Sequence, residues 1–193
     1  MLGTTPLAEL ELTAAPPRAH LIERLRPRLG ELVHGFHLIA EGLLGADSKI
    51  DFVGIEPSGR VVLILLGETG EDLQLVGRAL AQRAWVEPRV RDWIQLAPSI
   101  AARPAAGVRV LLLCPDFCPQ TEAAAASLGN DVVSLARYRC LRNGADLQLL
   151  LEGTPTHPQP ASDPPEMSAL PPFRTGLTDE DLGLTDEERG AFE

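Results

Sequence analysis

The chain has 193 residues and a mass of 20.7 kDa, enough for one sizeable domain or a domain with a tail. Hydrophobic residues make up 45% of it and its formal charge is −10, so a core can form, while nonspecific coating of nucleic acid by the whole molecule is disfavoured. The longest apolar run, Val61 to Leu66, is six residues, far short of the roughly 18 to 20 that cross a bilayer. Three cysteines cannot all pair, and the acids near the start do not make a signal peptide. A reducing, cytoplasmic setting without membrane contact is therefore expected.

Residues 1–17 read as an N-terminal extension. Pro17 suits a first helical turn, and Leu21, Ile22, Leu25, Leu29, Leu32 and Val33 follow at helical spacing, with Pro27 expected to kink the helix. Strands are expected over Phe36 to Leu44, Ile50 to Ile55 and Arg60 to Leu66. The last two are joined by Glu56-Pro57-Ser58-Gly59, which has turn chemistry. The third strand is apolar at every position, as a central strand covered on both faces should be. Leu73, Val76, Leu80 and Ala84 mark a helix from Gly70 to Val86, and a further helix runs from Glu87 towards Leu96. A strand at Val108 to Leu113, a helix at Gln120 to Leu128 and strands at Asp131 to Tyr138 and Leu147 to Leu151 complete the body. The order αβββαβαβ gives an α/β domain with a mixed sheet flanked by helices, spanning 18–152.

Past that point the composition changes. Residues 153–172 hold seven prolines and read as an extended linker. In 173–193, Gly-Leu-Thr-Asp-Glu occurs twice, each copy with a helix-start signal, and Phe173, Leu177, Leu182, Leu184 and Phe192 supply apolar anchors. This acidic motif is expected to dock on a partner or on its own domain. From Gly153 onward there are 9 acids against 2 bases, whereas up to Glu152 there are 18 against 15. Most of the acidity is in the tail. Lys49 is the single lysine among 17 basic residues, a bias that a GC-rich genome explains without any nucleic-acid meaning.

Lys49-Ile50-Asp51-Phe52-Val53-Gly54-Ile55, then Gly59 to Gly67, then a helix ending Ala81-Gln82-Arg83-Ala84-Trp85-Val86, resembles the restriction-endonuclease-like, PD-(D/E)xK, superfamily in its RecB-like and NucS-like branch. The segment Cys114-Pro115-Asp116-Phe117 and the strand ending Leu135-Ala136-Arg137-Tyr138 resemble that family's closing half. The resemblance implies a nuclease fold in which an Asp and a second acid hold a divalent cation beside a lysine. Asp51 stands at the first position. Leu65 and Gly67 fall where the acid and the lysine are implied, so the fold is expected without the activity, with Asp51 vestigial and no cofactor.

Three functions follow from this. The first is a catalytically inactive relative that binds a protein partner through 173–193, or pairs with itself through Trp85, Val86, Trp93, Ile94 and Leu96. The second is an active Mg²⁺-dependent endonuclease with relocated ligands. There Glu68 or Glu71 would join Asp51 on the metal, Lys49 would replace the lost lysine, Gln82 would line the site, and Glu23 or Glu31 would approach it. The third is a DNA-binding module using Arg78, Arg83, Arg89 and Arg91, against which the near-neutral body and acidic tail count. Asp51 itself is expected to pair with Lys49 or Arg60, or with Arg78. Cys114, Cys118 and Cys140 lack zinc-site spacing with His20, His34, His37 or His157, and Cys114 reads as small apolar packing.

Overall fold

The computed structural model describes residues 11–143 and 146–153, all within the first of two units, Met1–Thr156 and His157–Glu193. The elements run β1 (Glu11–Thr13), α1 (Arg18–Leu25), a 3₁₀ turn at Arg26–Arg28, α2 (Leu29–Leu32), β2 (His37–Leu44), β3 (Lys49–Ile55) and β4 (Val61–Leu66). They continue through α3 (Asp72–Val86), a 3₁₀ turn at Glu87–Arg89, α4 (Val90–Leu96), β5 (Val108–Cys114), α5 (Pro119–Leu128), β6 (Val133–Asn143) and β7 (Asp146–Gly153). Pro27 and Pro88 both lie in the 3₁₀ turns, where the missing N–H interrupts the α-helical ladder. The Pro-rich linker beyond Gly153 and the motif 173–193 lie outside the described residues.

One mixed sheet of seven strands carries the order β1-β6-β5-β4-β3-β2, with β7 also on β6. Strands β2, β3 and β4 form an antiparallel meander. Strands β4, β5 and β6 are parallel, which requires the crossovers through α3 and α5. The N-terminal extension 1–17 contributes the three-residue β1. It pairs Glu11 to Thr13 with Cys140 to Arg142 of β6, a length too short to give a periodic signal.

Alternation along β4 builds the two faces of the core. Val61, Leu63 and Leu65 join Leu75, Val76, Ala79, Val90 and Ala125 under α3, α4 and α5. Val62, Ile64 and Leu66 join Leu21, Leu25 and Leu29 under α1 and α2. All six β4 residues are buried, and burying each such side chain contributes about 1.5–3 kcal/mol. At the edge, Arg24 donates to the Leu147 carbonyl at 2.8 Å and Arg28 to that of Leu149. These contacts occupy acceptors on β7 that would otherwise template strand addition. No helix among the described residues is long and apolar enough to cross a membrane.

Candidate functional site

The site begins where the β3–β4 ladder stops. Its last paired residues are Phe52 and Ile64, and beyond them the N–H of Leu66 donates to Asp51 Oδ2 at 2.8 Å. A side chain thus takes over the role of a strand partner. Arg18, the first residue of α1, closes the other side. Its Nη2 lies 2.8 Å from each carboxylate oxygen of Asp51 and 3.2 Å from the Leu66 carbonyl. The Asp51 side chain is 5% exposed and that of Arg18 is 41% exposed. A cation at a helix N-terminus opposes the helix dipole, and Asp51 supplies the compensating charge.

This pairing corrects the expected partners. Arg60 is engaged elsewhere, with Glu56 at 3.6 Å and Asp131 at 2.6 Å. Lys49 and Arg78 line a cleft of about 470 Å³ together with Arg18, Asp51, Leu66 and Glu71, but neither contacts the Asp51 carboxylate. Nor does the first helix bring an acid to the site. Glu31 is held by Arg28 at 2.6 Å, which keeps its carboxyl below the ordinary range, and Glu23 is exposed.

The positions assigned to the lost acid and lysine need the same revision. Leu66, not Leu65, lines the cleft, because successive strand residues point to opposite faces and Leu65 packs into the cluster beneath α3. A Cβ on Gly67 would stand 2.5 Å from Cys114 Sγ and 2.7 Å from Leu75 Cδ2. That direction leads into the core, so this backbone has no room for a lysine there. Glu68 is exposed and faces a neighbouring cavity of about 510 Å³ with Arg18, Thr69, Pro115 and Tyr138. The Tyr138 hydroxyl reaches the Gly67 carbonyl at 3.5 Å, and burial pushes its pKa up to about 12.

Gln82 does not line the cleft. It is fully buried and braces the β2–β3 hairpin, accepting from the Ala46 N–H at 3.0 Å and donating to the Ser48 carbonyl at 3.1 Å and Ser48 Oγ at 2.9 Å. The contact is so close that a Cβ on Gly45 would fall 1.7 Å from Gln82 Oε1. Asp72, also buried, ties the start of α3 to that of α5 by accepting the Cys118 N–H at 2.7 Å. Burial alone would raise its carboxyl, but hydrogen bonds from the Cys118 backbone and from the Thr121 and Cys118 side chains outweigh this and hold it below the usual range.

A divalent cation does not fit this donor set. Both Asp51 oxygens are taken by a guanidinium and a backbone N–H, and an ion there would meet the Arg18 charge directly. Among the described residues no three His, Cys, Asp or Glu side chains converge as a metal site.

Of the four arginines expected to face DNA, two are engaged within the chain. Arg83 donates to the Val108 carbonyl at 2.7 Å. Arg89 donates to that of Trp85 at 2.6 Å and stacks 4.2 Å above its ring. Only Arg78 of the four lines the cleft, and Arg91 is exposed. The expected self-association patch is only partly at the surface. Val86 is fully buried, Trp85, Trp93 and Ile94 pack on the core, and Leu96 alone is largely exposed at 84%. Sequence reasoning missed Arg18. Its signal was a basic residue placed just after Pro17, where an acid would be favoured.

No protein-family model and no curated protein matches the chain. Among solved structures it is similar to a repair endonuclease from Pyrococcus abyssi, at 16% identity and a TM-score of 0.39, over 64% of this chain and 47% of that one. It is also similar to an EndoMS–dsDNA2 complex, at 13% and 0.38, over 64% and 45%. A third is SfsA of Pyrococcus furiosus in complex with Ca²⁺, at 15% and 0.36, over 69% and 58%. The chain spans about half the length of these structures. Its own elements give a mixed α/β architecture, a helix and a three-strand meander followed by two helix-linked parallel strands.

Proposed function

We propose that this protein is a catalytically inactive, nuclease-fold binding protein that uses no metal and works in the cytoplasm. The observation that carries this reading is the closure of Asp51 by Arg18 and the Leu66 N–H, each at 2.8 Å. Hydrolysis of a phosphodiester in the implied manner needs free carboxylate oxygens to hold a hard cation and activate water. Here the permanent guanidinium charge stands in the cation's place and has no exchangeable water. The apolar Leu66 beside it adds no ligand. Binding by the 18–152 body, with 173–193 as a docking element for a protein partner, is the function that this chemistry leaves.

The test is incubation of the full chain with single- and double-stranded DNA in Mg²⁺ and in Mn²⁺. Intact DNA is the expected result. Cleavage that disappears in Asp51→Ala would establish the relocated-ligand nuclease instead.

A further inference from the structure

We infer that the cleft beside the Arg18–Asp51 pair is a metal-free binding site for a phosphate-class oxyanion, held by Lys49 and Arg78. The inference rests on the non-catalytic reading, since it uses the cleft as a binding surface with Arg18 fixed in place.

Most cations among the described residues are satisfied within the chain. Arg24, Arg26, Arg28, Arg60, Arg83 and Arg89 each donate to a carboxylate or carbonyl of the same chain. Arg109, Arg137, Arg139 and Arg142 are likewise paired or hydrogen-bonded. Among the described residues, the basic side chains without such a partner are Lys49, Arg78, Arg91 and Arg103. Two of these four converge on one concave surface. The half-buried Arg78 is the notable one, because a guanidinium taken partly out of water is disfavoured unless something compensates it.

Three carboxylates line the cleft: Asp51, Glu41 and Glu71. Asp51 is neutralised by Arg18. Glu41 is gripped by Arg26 through two bonds of 2.6 and 2.8 Å. Lys49 and Arg78 therefore face only Glu71: the lining itself carries three cations and three carboxylates, and Arg26, held against Glu41 from outside the lining, leaves one positive charge in excess. Arg78 lies on α3 and Glu71 immediately precedes that helix, and both line the cleft. Lys49 opens β3. A guanidinium fork and an ammonium lining one cleft match an oxyanion with several oxygens, phosphate above all. The volume of about 470 Å³ is that of a small-ligand site.

The test titrates the full chain at low salt in EDTA with pyrophosphate and, separately, with a single-stranded oligothymidylate. Binding of pyrophosphate alone identifies a free phosphate compound as the ligand class, and tighter binding of the oligonucleotide identifies a phosphodiester chain. In either case Lys49→Gln and Arg78→Gln should each weaken binding about tenfold or more, while Arg103→Gln should leave it unchanged. Both variants remove side chains without internal partners, and unchanged circular dichroism would show that they fold. The inference is overturned if neither probe binds, if the cleft variants bind as well as the parent, or if binding appears only when Mg²⁺ replaces EDTA. Cleavage of the oligonucleotide in Mg²⁺ is a separate result, which would overturn the non-catalytic reading itself.

Discussion

The guanidinium of Arg18 reaches both carboxylate oxygens of Asp51 with a single nitrogen, at 2.8 Å each, and also touches the Leu66 carbonyl at 3.2 Å. Helix α1 is thereby fastened to the end of the sheet where β3 and β4 part. Removing one partner of so buried a carboxylate leaves the other uncompensated. Asp51→Ala should lower stability by about 1–3 kcal/mol, because it strands the Leu66 N–H along with a guanidinium that water can partly reach. Arg18→Ala should cost a similar amount. Urea denaturation of the two single variants and the double variant checks the pairing, and a coupling energy near zero would contradict it.

Gly67→Lys should not rebuild a nuclease. The new Cβ would collide with Cys114 Sγ and Leu75 Cδ2, and overpacking a tight core costs about 1–3 kcal/mol. The expected outcome is a destabilised protein with no gain in DNA cleavage, read by thermal melting alongside a nuclease assay.

Gln82 shapes the cleft from a distance. Replacing it with Ala would leave the Ala46 N–H and the Ser48 groups without their partner, at a cost of about 1–3 kcal/mol. Hydrogen exchange should rise first in 45–48, the hairpin that delivers Lys49 to β3. Uniform protection across the variant would show that Gln82 is only a core filler.

Stability should fall in acid, and Asp72 is one cause. Its carboxyl is held below the ordinary 3.8, so the folded state favours the ionised form. That contribution is complete above the unfolded value and is lost as pH drops through the lower folded one. Asp72→Asn should be less stable than the parent at pH 7 and should lose less stability between about pH 4 and pH 3. Denaturation curves across this range provide the check.

The thiols should differ in reactivity. Burial pushes Cys114 up to about 12 and raises Cys140 as well, while Cys118 is only half-buried. At pH 8, iodoacetamide followed by mass spectrometry should find Cys118 modified first and Cys114 spared, since the thiolate is the reacting form. Early modification of Cys114 would mean that this strand end opens readily.

What the linear chain determined by itself was the layered α/β body. Its helices and strands are written in local periodicity, in the prolines at 27 and 88 that interrupt helices, and in the wholly apolar Val61 to Leu66, which can only be central. The Asp51 position was legible only through the family resemblance that Lys49 to Ile55 carries. The tertiary structure alone decided how that acid is satisfied. Arg18 is 33 positions away from it, and pairing over such a distance leaves no periodic trace. The face each residue takes was equally hidden, because Leu65 and Leu66 are equally apolar and a one-residue shift in register exchanges core and cleft. The short β1 belongs with them. Its three residues acquire meaning only once β6 stands beside them.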